Sequence, residues 1–164
     1  MEKEKAVWEG NPSQLLNFHI YLLCLVIAAA LLFVAFQFRE NLGPTGSYAV
    51  AGAAAIPLIF AFIKWLQIKF RRYELTTERL RLRRGILSRN TDELELYRIK
   101  DYVLHEPFFL RLFGKGNIAL TTTDDANPNV VLQAVPRAET LRDEIRKYVE
   151  IRREAKRVRI TEFE

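Results

Sequence analysis

The chain opens with two long hydrophobic stretches, residues 18–38 and 48–66, and neither holds a charged residue away from its ends. A helix rises about 1.5 Å per residue, so each stretch can cross the roughly 30 Å hydrocarbon layer of a bilayer. The connection between them is rich in turn-forming residues: Asn41, Gly43, Pro44 and Gly46. The pattern therefore predicts a transmembrane hairpin over residues 18–68, preceded by a separate N-terminal segment over residues 1–17. Pro57, in the middle of the second stretch, predicts a kink.

The flanks of the two stretches suit a membrane interface. Tyrosine, tryptophan and lysine place an apolar body in hydrocarbon and a polar tip among headgroups, and the predicted interface anchors are Tyr21, Tyr48, Lys64 and Trp65. Arg39 is the only basic residue in the connection. By contrast, several basic residues flank the outer ends of the two stretches: Lys3, Lys5, Lys64, Lys69, Arg71 and Arg72. Because basic flanks remain in the cytoplasm, we predict a multi-pass plasma-membrane protein with both termini cytoplasmic.

From Tyr73 onward the hydrophobic period changes to two. Alternation at residues 79–83 and 93–96 predicts strands with one buried face, and further strand-like stretches follow at 102–105, 117–123 and 129–135. Between them, the apolar turn at 108–113 could be an exposed docking patch, but we expect it to plug the end of a strand-rich core.

The last predicted element is a helix that begins near Pro136, a residue suited to the first helical turn. Its apolar positions recur every three or four residues, at Ala138, Leu141, Ile145 and Val149. The pattern predicts an α+β domain over residues 69–150, a curved antiparallel sheet or barrel capped by one C-terminal helix. A charged tail over residues 151–164 loses the stripe, and we expect it to fray or to contact a partner.

Four motifs in this part of the chain occur in a characteristic order: YELTTERL at 73–80, RGILS at 84–88, LYRIKD at 96–101 and LRLFGKGNI at 110–118. Together they resemble the bacterial membrane-flanked PH-domain family, often called YdbS-like, over residues 73–149. The resemblance implies a PH-like fold at the inner face of a bacterial plasma membrane. It implies no catalytic activity, since the family as a whole has no established one.

The distribution of charged residues changes this interpretation for only one segment of the chain. The net charge of the chain is +5, and residues 71–164 hold 20 of the 25 basic and 16 of the 20 acidic residues. This near balance argues against a nucleic-acid binder.

The stretch from Lys64 to Arg89 is the exception, because it holds nine Lys or Arg against only Glu74 and Glu78. Juxtamembrane basic residues gain about 1 kcal/mol each from an anionic cytoplasmic leaflet. The predicted lipid-headgroup site consists of Lys69, Arg71, Arg72, Arg79, Arg81 and Arg83. The alternative is that two of these arginines face carboxylates of the next strand, and the possible pairs join Arg81 and Arg83 to Glu93 and Glu95. Such pairs would cancel the field that attracts lipid.

Catalytic chemistry is not indicated. His105 lies beside Glu106 without a serine or cysteine nucleophile in a recognisable turn. Asp124 and Asp125 lack the other oxygen ligands of a calcium loop. We therefore predict no catalytic residues, no metal, no cofactor and no small-molecule substrate.

These predictions lead to a non-enzymatic, membrane-anchored PH-like module that scaffolds or recruits protein partners at the cytoplasmic face, with a homo-oligomer as one form of the assembly. The alternative is recognition of anionic phospholipid headgroups through the juxtamembrane basic face. A second alternative is an accessory subunit of an export or antimicrobial-resistance membrane complex.

Overall fold

The computed structural model describes residues 4–124 and 127–161, with side chains through residue 156, and divides the chain into two compact units. One unit is Gln14–Ile68. The other combines the chain up to Ser13 with the chain from Lys69 onward. The first unit is helical, and the second contains every strand of the described chain.

The helical unit begins with a single 3₁₀ turn, Gln14–Asn17, followed by α1 (Phe18–Gln37), α2 (Arg39–Ala53) and α3 (Ala55–Lys69). By length and composition, two helical stretches, Gln14–Gln37 and Arg39–Lys69, are apolar enough to cross a membrane.

A sharp turn at Gly43 interrupts α2, and Gly43 has φ 67° and ψ 174°. Glycine adopts a positive φ without steric cost, and Pro44 then restarts the helix with its fixed φ. Ser47 Oγ donates a hydrogen bond to the Gly43 carbonyl at 2.8 Å. The connection over residues 39–46, which was expected to be a loop, is therefore helical except at Gly43, where the chain turns. Tyr48 follows directly and is exposed.

A second interruption, at Ala54, separates α2 from α3. Pro57 has no N–H and its ring crowds the carbonyl four residues earlier, that of Ala53. The Ala54 N–H instead bonds to the carbonyls of Ala51 and Gly52, as in a 3₁₀ turn. The helix is thus interrupted about one turn before the proline, although Ala54 itself keeps helical dihedral angles (φ −64°, ψ −18°).

Hydrogen bonds join the start of α1 to the end of α3. Tyr21 donates its hydroxyl to Gln14 Oε1 at 2.6 Å, and Gln14 Nε2 donates to the carbonyl of Trp65 at 3.1 Å. Asn17 Nδ2 donates to the carbonyl of Lys64 at 3.4 Å. Three of the predicted interface residues therefore lie at the same end of this unit, and α1 and α3 run antiparallel there.

The second unit contains two antiparallel sheets. The first sheet has the order β1 (Ala6–Gly10), β2 (Arg72–Thr76), β3 (Arg79–Arg84) and β4 (Asn90–Glu95). The second sheet has the order β5 (Ile99–His105), β6 (Lys115–Thr122) and β7 (Asn129–Pro136). The short helix α4 (Phe108–Leu112) lies between β5 and β6, and α5 (Ala138–Thr161) follows β7.

The core of this unit forms where both sheets and α5 bury their apolar positions. The alternation predicted at 79–83 is confirmed, because alternate residues of β3 are buried. Of the alternation predicted at 93–96, Leu94 and Leu96 are buried, but Leu96 begins a 3₁₀ turn that follows β4. The predicted helical stripe is also buried. Buried core side chains include Leu75, Leu80, Leu94, Ile118, Leu120, Leu132, Leu141, Ile145 and Val149.

The strand β1 was not predicted, and it corrects the assignment of residues 1–17 to a separate segment. Its register pairs Gly10 with Tyr73 on β2, and the register shifts between Ala6 and Trp8. This bulge allows the consecutive residues Val7 and Trp8 both to pack against the core. The helical unit is therefore an insertion in the chain between two neighbouring strands of one sheet.

The charged tail predicted at 151–164 is also corrected, since α5 continues to Thr161. Arg152 Nε donates to the Thr77 carbonyl at 3.0 Å, and its guanidinium pairs with Glu78. The guanidinium of Arg153 donates to a main-chain carbonyl of β5. Lys156 Nζ lies 3.2 Å from the centre of the Tyr97 ring. Polar contacts thus hold α5 against the strand-rich unit beyond the end of its apolar stripe.

Candidate functional site

An ion-pair network covers the outer face of the first sheet, with Arg81 at its centre. The Arg81 guanidinium contacts Glu93 Oε1 at 3.1 Å, Glu4 Oε2 at 3.3 Å and Glu74 Oε1 at 3.5 Å. Arg81 and Glu93 are register partners on β3 and β4. The alternative predicted for Arg81, a carboxylate on the next strand, is therefore what the structure contains.

Other arginines of the predicted lipid-headgroup site also have partners. The contacts to carboxylates are Arg79 Nη1 to Glu93 Oε2 at 2.9 Å, Arg83 Nη2 to Glu74 Oε2 at 3.0 Å, and Arg72 Nη1 to Glu9 Oε1 at 3.6 Å. Arg83 does not pair with β4, because its register partner there is Thr91. Arg71 Nη1 donates to the neutral Gln133 Oε1 at 3.0 Å, and Lys69 ends α3. These carboxylates offset much of the positive field that the sequence predicted.

The pKa of two carboxyl groups on β4 is lowered, and only the first of them, Glu93, belongs to the ion-pair network. For Glu93 the main cause is the hydrogen bond from Arg79, with further lowering by the charge of Arg81. The pKa of Glu95 is lowered mainly by its hydrogen bond with Tyr97. Both groups therefore favour their charged forms more strongly in the folded protein than in the unfolded chain.

The Glu93 contribution to stability should depend on pH. Because its folded pKa lies below the ordinary value of 4.5, the contribution is present above that pH and is lost as pH falls through the folded pKa. For an exposed pair we expect about 0.5 kcal/mol or less. Thermal unfolding of full-length protein should show less acid destabilisation in Glu93→Gln than in wild type. Glu139→Gln, at an exposed carboxylate of α5, is the control, and equal acid sensitivity in wild type and Glu93→Gln would contradict the prediction.

The α4 segment presents an apolar surface to solvent. Leu110 is 7% exposed, whereas the other large side chains are 57–75% exposed: Phe108, Phe109, Leu112 and Phe113. The expectation that this segment plugs the core is therefore wrong for all but Leu110. Side chains two residues apart lie on nearly opposite faces of a helix, so burial of Leu110 directs Phe108 and Leu112 toward solvent.

The turn between β3 and β4 has a second apolar tip. Leu87 is 100% exposed and Ile86 is partly exposed. The turn begins at Gly85, with φ 120°, and is followed by Arg89. Neither residue belongs to a predicted site, although two adjacent large apolar residues in a turn are a signal of function, since turns are normally polar.

Both apolar surfaces lie next to a point where the chain enters or leaves this unit. In the first sheet, Arg72 pairs with Arg83, so the β3–β4 turn lies at the end where β2 begins. Next to α4, Lys115 Nζ donates to Ser13 Oγ at 2.7 Å. The Ser13 N–H also bonds to the Ala134 carbonyl at 3.1 Å.

Two arginines on these surfaces, Arg89 and Arg111, have no acidic partner within the described residues. Neither surface segment, 83–91 or 107–115, contains an acidic residue. In the part of the chain with described side chains, no three His, Cys, Asp or Glu residues cluster in a way that could hold a metal ion. His105 is exposed on β5, an edge strand of the second sheet.

Comparison with known proteins identifies the family. The family described as bacterial PH domain matches residues 18–149, which is well over half of the chain and includes both apolar stretches. No curated protein and no solved structure matches the chain. The narrower YdbS-like assignment stays a prediction. PH domains are in general non-catalytic modules that bind proteins or lipids. On this match, and with a fold of antiparallel sheets and a C-terminal helix, the chain belongs to the bacterial PH-domain family.

Proposed function

We propose that the chain is a non-enzymatic, membrane-anchored PH module that recruits or scaffolds protein partners at the cytoplasmic face of the plasma membrane. The main support for this proposal is that the helical unit is inserted in the chain between β1 and β2. Since these strands pair, both ends of a membrane-spanning hairpin would have to lie on one side of the bilayer. The basic flanks favour the cytoplasm as that side, because basic segments are enriched there.

The outer face of the second sheet is suited to a protein partner. Val103, Ala119 and Val131 form a row across β5, β6 and β7, and both valines are exposed. The residues that adjoin this row on β6 and β7 are uncharged, namely Asn117, Thr121, Asn129 and Gln133, and those that adjoin it on β5 are Asp101 and His105. Such a surface loses little solvation free energy when a protein covers it, whereas the ion pairs of the first sheet would be costly to bury.

The test is photocrosslinking of the full-length protein in native membranes. A photoreactive side chain at Val131 is expected to give an adduct of defined mass, either with a second copy or with another protein. Val103→Asp should abolish that adduct, because it places a charge within the same row. The matched control is a photoreactive side chain at Lys147, an exposed position on α5. Absence of an adduct at Val131, or one equally strong at Lys147, would overturn the proposal.

A further inference from the structure

We infer that the PH domain itself enters the lipid surface, through the β3–β4 turn and α4. Its lipid-contact surface consists of Ile86, Leu87, Phe108, Phe109, Leu112 and Phe113. The inference rests on the membrane anchoring in the proposed function. It differs from the lipid-headgroup site predicted from sequence, since none of these residues belonged to that site.

The chemistry of the surface fits a bilayer interface. Transfer of phenylalanine and leucine side chains from water to the boundary between headgroups and acyl chains lowers the free energy. Phe108 and Phe109 are arranged edge to face, with ring centroids 5.7 Å apart, and both remain 75% exposed. Exposed apolar side chains of this size mark a site of interaction with either a membrane or a protein.

The charges favour lipid over protein as the occupant. Arg89 follows the apolar tip of the turn, and Arg111 lies within α4. Neither has a carboxylate partner within the described chain. By contrast, Arg81 contacts three carboxylates on the outer face of the first sheet. Uncompensated arginine next to exposed phenylalanine and leucine is the composition of segments that lie at an anionic membrane interface.

Chain connectivity supports the same occupant. β1 ends at Gly10, on the way to the helical unit, and β2 begins at Arg72, on the way back. The β3–β4 turn lies at this end of the first sheet, because Arg72 pairs with Arg83. Ser13, which contacts Lys115 next to α4, is only three residues beyond Gly10, a span of at most about 11 Å. Both apolar surfaces therefore flank the chain segments that connect the domain to the hairpin.

The experiment uses full-length protein in lipid nanodiscs with anionic lipid. In a Cys24→Ala background, a polarity-sensitive fluorophore is attached at Leu87→Cys or at Phe109→Cys. We expect blue-shifted emission at both positions and quenching by quenchers carried on the lipids. Glu154→Cys is the control, because it is exposed on the part of α5 that reaches the opposite end of the first sheet. Its fluorophore should be quenched by iodide in the water instead.

Charge reversal then tests the two arginines. Arg89→Glu combined with Arg111→Glu should shift the equilibrium away from lipid by at least about fivefold for each residue. The effect should be larger in anionic than in zwitterionic nanodiscs. Lys147→Glu is the control for the change in net charge and should leave the emission at position 87 unchanged.

Each remaining outcome has a definite meaning. Iodide quenching at 87 and 109 equal to that at 154 would overturn the inference. Blue-shifted emission without lipid quenching would overturn it in favour of a protein occupant. A fluorophore at Phe33→Cys, within α1, tests separately whether the hairpin lies in the membrane. If it is quenched by lipid while positions 87 and 109 are not, only the inference about the PH domain fails. If it is not quenched by lipid, the membrane anchoring fails as well.

Discussion

Replacement of Trp8 by alanine is expected to lower the free energy of unfolding of the strand-rich unit by about 3 kcal/mol. Trp8 precedes both apolar stretches in sequence, yet its side chain packs against the core of the PH domain. Its ring also lies over Gly10, where an added Cβ would come within 2.4 Å of Trp8 Cζ2. Loss of the ring would leave a cavity and release β1 from β2.

Hydrogen exchange of full-length protein in nanodiscs measures this effect. Amides of β2 should exchange at least about a hundredfold faster in Trp8→Ala, which corresponds to the expected loss in stability. Glu9→Gln on the same strand changes only an exposed pair with Arg72 and should leave exchange nearly unchanged. Unaltered β2 exchange in Trp8→Ala would show that β1 does not stabilise the sheet.

Gly85→Ala should cost more than about 3 kcal/mol, because strain and a clash combine at this position. The φ of Gly85 is 120°, and a Cβ there would lie 1.7 Å from the carbonyl oxygen of Ser88. The obstacle is main chain and cannot rotate away, so the turn must rebuild and Leu87 must move.

Gly114→Ala is the matched control for this substitution. The φ of Gly114 is 63°, but nothing lies within 4 Å of its added Cβ. It should therefore cost only the left-handed strain of about 1–2 kcal/mol. Denaturant unfolding of the full-length protein in detergent compares the two variants. Equal losses would mean that the contact with Ser88 is not a constraint on the turn.

Period-two alternation was sufficient to predict β3, because its alternate residues are buried, and it marked only the end of β4 around Leu94. The turn-forming residues between two strand-like stretches were the signal for β6 and β7. β1 gave no such signal, since its bulge turns Val7 and Trp8 toward the same core. The continuation of α5 was missed for a related reason. Its attachment changes at Arg152 from apolar burial to hydrogen bonds with carbonyls, and apolar periodicity does not report such bonds.

The candidate site was only partly predictable. Alternating charges on adjacent strands correctly suggested the contact of Arg81 with Glu93, but the register of the hairpin gave Arg83 a partner on β2 instead. Composition identified the segment 108–113 as apolar without showing which of its side chains would face the core. That depends on how a short helix is held by its neighbouring strands, which is a property of the tertiary structure.

The position of β1 has a consequence for how the protein is made. During synthesis β1 leaves the ribosome before the hairpin, and its partner β2 leaves after it. In a chain whose hairpin spans the membrane, the first sheet is completed only when both helices have inserted with their ends on the same side. A chain in which only one helix had inserted would leave β1 on the opposite side of the bilayer from β2, and the edge of β2 would stay unpaired. Completion of the sheet would therefore report that both helices had inserted, and chains that failed would remain open to proteases.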